Sequence, residues 1–188
     1  RSMNISMGLK DEKQKLYGYK TLNLLNSNGD PSMLHSTLFY TIARNYMPAQ
    51  KCNLVRVVIN GEDWGIYPNV QQANKEMIDE WFENSKGARW KISGNPGGTT
   101  GLTYLSDNIS DYKRVYEIKT KDEEESWKAL INVTKVLNKT PTDQLQAALE
   151  PILDVEHLLW YLALDNVFIN DDGYAIRSSD INIYLDPK

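Results

Sequence analysis

The stretch from Leu54 to Tyr67 constrains the fold most. Leu54-Val55-Arg56-Val57-Val58-Ile59 is a β-branched run, Asn60-Gly61 follows it, and Trp64-Gly65-Ile66-Tyr67 returns. A two-residue hairpin turn of type I′ needs positive φ at both central positions, and Asn-Gly supplies that at little steric cost. The stretch therefore predicts a β-hairpin. Tryptophan beside glycine in the return strand fits a twisted, closely packed ribbon.

Further strands flank it. Met3, Ile5 and Met7 alternate with polar residues, which predicts a strand with one buried face. Lys10 to Lys15 is a solvated charged segment, and Tyr19 to Leu25 reads as a second strand. Asn26-Ser27-Asn28-Gly29 is turn chemistry, with Asp30-Pro31 behind it as N-cap and first helical residue. Met33, Leu34, Leu38, Phe39, Ile42 and Ala43 then share a helical face, and the helix runs to about Asn45 before Met47-Pro48 stops it. A short helix is expected near Asn74 to Phe82, and a strand over Arg89-Trp90-Lys91-Ile92. Gly94 to Gly101 is glycine-dense but lacks the lysine and hydroxyl of a P-loop and the spacing of a dinucleotide fingerprint. It reads as a connector, with a phosphate-covering loop as the alternative.

The second half turns helical. Acids at Asp122 to Glu125 open a helix where the macrodipole favours them, and Trp127, Leu130, Ile131, Val133, Val136 and Leu137 form its buried stripe. Thr140-Pro141-Thr142-Asp143 opens the next helix, with Leu145, Ala148 and Leu149 inward. Asp154 caps a third, with Leu158, Leu159, Tyr161, Leu162 and Leu164 packed around its axis. The fold class is α+β: strand-rich first, helix-rich second.

That third helix runs into Asn170-Asp171-Asp172-Gly173-Tyr174, and a strand-like segment returns with Asp180-Ile181-Asn182-Ile183-Tyr184. A helix end, a polar loop and a strand start deliver carboxylates and amides to one place, and hard cations such as magnesium take oxygen ligands of this kind. An ordinary Asn-Asp-Asp-Gly turn is the alternative, and composition does not choose between them. An EF-hand is excluded, because Gly173 in its sixth position would put Phe168 first and Ser179 twelfth.

Composition narrows the function. A net charge of −4 argues against a dedicated nucleic-acid binder, and no apolar run is long enough to span a membrane. The single cysteine, Cys52, excludes an internal disulfide and reads as a buried structural thiol. His35 and His157 have no partner at zinc spacing and read as structural. Four N-x-[ST] sequons, at Asn4, Asn108, Asn132 and Asn138, matter only in a eukaryotic secretory setting.

Leu22-Asn23-Leu24-Leu25-Asn26, Asp30-Pro31-Ser32-Met33-Leu34, the hairpin with Asn60-Gly61-Glu62-Asp63-Trp64-Gly65-Ile66-Tyr67, Ala88-Arg89-Trp90-Lys91 and the terminal Asp172-Gly173-Tyr174 together resemble the spore coat protein H (CotH) kinase family. The resemblance runs through nearly the whole chain. It implies one kinase-like domain over residues 1–188, two-lobed, in an atypical protein kinase that uses ATP with Mg2+ or Mn2+ on Ser/Thr of secreted, cell-surface or spore-associated proteins. Phosphoryl transfer asks mainly for positioning and charge neutralisation. On the family pattern Asp172 is the base-like residue with Asp171 its neighbour and competitor. Asp180, or Asn182, holds metal, and Lys91 contacts the nucleotide with Glu80 as its acidic partner. No His-Arg precedes the acidic loop, and the spacing from Asp172 to Asp180 exceeds that of ordinary kinases. The family continues into a segment with another metal-binding Asp, so the expectation is a domain incomplete at both ends whose activity belongs to a longer parent. A non-catalytic surface or coat module that binds protein or glycan through aromatics such as Trp64, Trp81, Trp90, Trp127 and Trp160 is the other reading.

Overall fold

The computed structural model describes residues 1–92, 101–178 and 180–187. The chain is α+β as the sequence implies, with strands in the first half and helices gathered in the second, and it forms two compact units, residues 1–83 and 84–188.

The first unit is a four-stranded antiparallel sheet with two helices. Its strands are β1 (Met3–Ser6), β2 (Thr21–Leu24), β3 (Cys52–Ile59) and β4 (Glu62–Val70), in the order β1-β2-β4-β3. The hairpin closes as expected: Ile59 pairs with Glu62, and Asn60 and Gly61 take φ of 53° and 85°. The register shifts between Val57 and Val58, which face Gly65 and Asp63, so Trp64 is the extra residue of a bulge. Helix α1 (His35–Ala43) lies against β3, and α2 (Lys75–Trp81) is capped by Asn74, whose side chain accepts from the Met77 N–H.

Two expectations fail here. Asp30-Pro31 does not begin α1. The Asp30 carboxylate instead holds a turn through the Ser32 N–H and hydroxyl, and reaches forward to the N–H of His35, where the helix starts. The buried side of α1 is also different. Ala43 is buried and Phe39 half-buried, while Met33, Leu34, Leu38 and Ile42 are exposed. Cys52 is half-buried, and burial raises its thiol pKa although Thr37 lies within hydrogen-bonding distance.

The second unit is built on β5 (Ala88–Ile92), β6 (Tyr116–Ile118) and β7 (Asn182–Leu185), in the order β6-β5-β7 and antiparallel throughout. Helices α3 (Ile109–Tyr112), α4 (Glu124–Lys139), α5 (Thr142–Leu149), α6 (Val155–Val167) and α7 (Tyr174–Arg177) complete it. β5 alternates strictly, with Ala88, Trp90 and Ile92 buried and Arg89 and Lys91 on the other face. The inward side chains join Tyr112, Tyr116, Trp127, Leu130 and Ile131 in one core. Trp90 and Trp127 meet edge to face at 6.0 Å. Each aromatic or aliphatic side chain buried there contributes about 1.5–3 kcal/mol. Asp154 caps α6 through the His157 N–H, as expected, but Leu159 is exposed rather than packed.

Candidate active site

The alternation of β5 decides what the sheet shows on its other face. With Trp90 committed to the core, Arg89 and Lys91 must point away from it. Lys91 stands opposite Glu117 on β6 and Asn182 on β7. Its Nζ lies 3.5 Å from Oδ1 of Asp180, just before β7. Arg89 donates to Oδ1 of Asn182 at 3.2 Å. Glu117 pairs with Lys119, whose hydrogen bond holds its carboxyl below the usual range, with smaller help from Lys91 and Arg89. One sheet face thus gathers three cationic side chains with two carboxylates and an amide oxygen.

The main chain ties Asp180 to this sheet. Its N–H donates to the carbonyl of Ile92, and the Ile92 N–H donates to Ile181. Asp180 takes a φ of 57°, a left-handed value that Asp tolerates better than most residues. The glycine-dense stretch lies outside the described residues except for Gly101. That residue donates its N–H to Ser178, the N–H of Leu102 donates to the Tyr174 hydroxyl, and the Tyr116 hydroxyl donates to the Gly101 carbonyl.

Asp171 and Asp172 sit on the loop between α6 and α7, both exposed. Asp172 makes an ion pair with Arg177 on α7 at 2.7 Å. The structure thus brings Lys91, Asp180 and Asn182 onto one sheet face, while the partner of Asp172 is Arg177. Glu80 belongs to the first unit, where Lys51 lies 2.9 Å and Arg44 3.8 Å from its carboxylate, and where Gln71 and Tyr19 donate to it. Among the described residues no three His, Cys, Asp or Glu side chains gather into a metal cluster.

The sequence reading gives no role to Asp165, which the structure places at the centre of the acidic loop. Its side chain is 2% exposed. Oδ1 accepts from Nδ2 of Asn170 at 2.7 Å, and Oδ2 accepts from the Ala175 N–H at 3.2 Å. The one sequence signal was an acid next to the apolar run Leu162-Ala163-Leu164, which a solvent-facing helix position would explain equally well.

Comparison with known proteins adds two findings. The family model described as CotH kinase protein matches residues 2–188. A curated relative, Invasin CotH2 of Rhizopus delemar, is 25% identical in a 172-residue alignment that covers 85% of this chain and 28% of the relative. The chain thus spans under a third of that relative's length.

Proposed function

The chain belongs to the CotH kinase protein family, and from that premise we propose that it serves phosphoryl transfer from ATP, with magnesium, to Ser or Thr of secreted, cell-surface or spore-coat proteins. The observation that carries the reading is Lys91 beside Asp180 at 3.5 Å, with Asn182 at the paired register position. A phosphate needs a fixed cation, and a nucleotide-bound magnesium needs only one or two protein carboxylates beside phosphate and water oxygens. The donor set therefore fits, although no larger acidic cluster is present among the described residues. In this reading Lys91 binds phosphate, and Asp180 with Asn182 would hold the cation. The metal supplies charge neutralisation on the phosphates when bound. Asp172, with Asp171 as its neighbour, takes the proton of the acceptor hydroxyl. No helix among the described residues is long and apolar enough to cross a membrane. The relative's name, an invasin, supports placing this protein at a surface.

One observation favours a second reading, a non-catalytic surface module. Leu54, Val58, Trp64 and Ile66 stand exposed on the β3–β4 hairpin, and exposed apolar patches mark binding surfaces. Titration calorimetry of the full-length protein with ATP, with and without Mg2+, decides between them. Magnesium-dependent binding supports the kinase reading. No binding by a folded protein supports the module.

A further inference from the structure

The acidic loop is shaped by a buried carboxyl group. Asp165 lies in the last turns of α6, where the carboxyl group of an apolar helix has left water altogether. Burying a carboxyl group costs several kcal/mol unless hydrogen bonds replace its hydration. Here the replacements come from the loop itself, through the Asn170 amide and the Ala175 N–H. The Asn170 N–H also returns to the Asp165 carbonyl, and the Gly173 N–H donates to the Asn170 carbonyl. The stretch 170–175 is thus wrapped round one side chain.

Gly173 shows how close the wrapping is. A Cβ at that position would stand 2.2 Å from Oδ1 of Asp165, 2.7 Å from Oδ2 and 2.4 Å from Nδ2 of Asn170. Its φ is −78°, so the glycine is required by space rather than by backbone conformation. The carboxyl group lies close against the main chain immediately after Asp172. Arg177, whose N–H donates to the Gly173 carbonyl, then closes the far side by pairing with Asp172.

We infer that Asp165 is a positioning residue for Asp172: it fixes the loop main chain so that the Asp172 carboxylate is presented to the acceptor hydroxyl. The inference rests on the kinase reading. Asp165 is buried and so out of reach of nucleotide and acceptor, and its loss should act on turnover and not on nucleotide binding. A misplacement of about 1 Å at a reacting group costs roughly 10²-fold in rate.

The test is steady-state kinetics of the full-length protein with MgATP and an acceptor protein. Asp165→Asn keeps the shape but turns an acceptor into a donor facing the Asn170 amide or the Ala175 N–H. The expected result is kcat lower by about 10²-fold with KM for ATP within about threefold. The double variant Asp165→Asn with Asn170→Asp restores the pairing with donor and acceptor exchanged, and should recover most of the lost kcat. Should Asp165→Asn fail to fold, Asn170→Ala removes a single donor and carries the same kcat-against-KM expectation. An unchanged kcat in whichever of these single variants folds overturns the inference while leaving the kinase reading in place. A folded wild type without phosphoryl transfer overturns the kinase reading and the inference with it.

Discussion

The ammonium of Lys91 and the carboxylate of Asp180 meet at 3.5 Å across the β5–β7 edge, with side chains 42% and 56% exposed. A pair so open to water contributes at most about 1 kcal/mol to stability. On the proposed reading the two groups serve binding more than stability.

Lys91→Met should therefore separate folding from binding. The thermal midpoint is expected to stay within a few degrees of wild type, while calorimetry shows magnesium-ATP affinity falling at least about tenfold, the loss of one charge-assisted contact. A large drop in the midpoint with affinity retained would make the pair structural.

Asp172→Ala in the full-length protein should lower phosphoryl transfer by about 10²–10⁴-fold, the range a general base supplies. The fold should survive, because the side chain is exposed and its ion-pair partner, Arg177, is half-exposed. Radiolabel transfer with a circular dichroism control reads both. Unchanged transfer would move the base assignment away from Asp172, with Asp171 the next to substitute.

Ile169 holds a φ of 50° with its side chain 76% exposed. A β-branched residue in the left-handed region is strained by about 1–2 kcal/mol, and here little packing offsets it. Ile169→Asn or Ile169→Gly should raise stability by about 1 kcal/mol in urea unfolding. A loss of stability in both would show that the isoleucine side chain packs after all.

Asp122 gives the acid limb a signature. Lys113 first, and then the Trp127 indole N–H, hold its carboxyl below the ordinary value of 3.8. A depressed folded pKa means stability that is present above the unfolded value and lost as pH falls through the folded one. The stability gap between wild type and Asp122→Asn should thus be constant at neutral pH and close below about pH 3.8. Melting curves from pH 7 to pH 2 test it, and a gap that widens on acidification would reverse the sign.

What could be read from the chain follows the distance over which each signal acts. The Asn60-Gly61 hairpin, the short helix beginning near Asn74 and the Asp154 cap were legible, since each is fixed within a few residues. The start of α1 was misread because Asp30 spans five residues to reach the His35 N–H, a longer reach than a capping pattern describes. Strand β6 and helices α3 and α7 have three or four residues each, too few to show a period. The candidate residues Lys91, Asp180 and Asn182 could be named from the family pattern, but the register that faces Lys91 with Asn182 is long-range and left no local trace. Asp165 was hidden for a related reason: its partners are supplied by a loop that folds back.

The pairing of Lys91 with Asn182, and of Ala88 with Leu185, joins residues far apart in the chain, at opposite ends of the second unit. Contacts of such sequence separation form late, after local hairpins and helices have closed. During synthesis, β5 and β6 can meet while the strand bearing Asn182 is still to be made. The sheet face would then display its cations without the late carboxylate and amide, and phosphate handling would wait for β7. The face that carries Lys91 is thus complete only when chain from both ends of the second unit has come together.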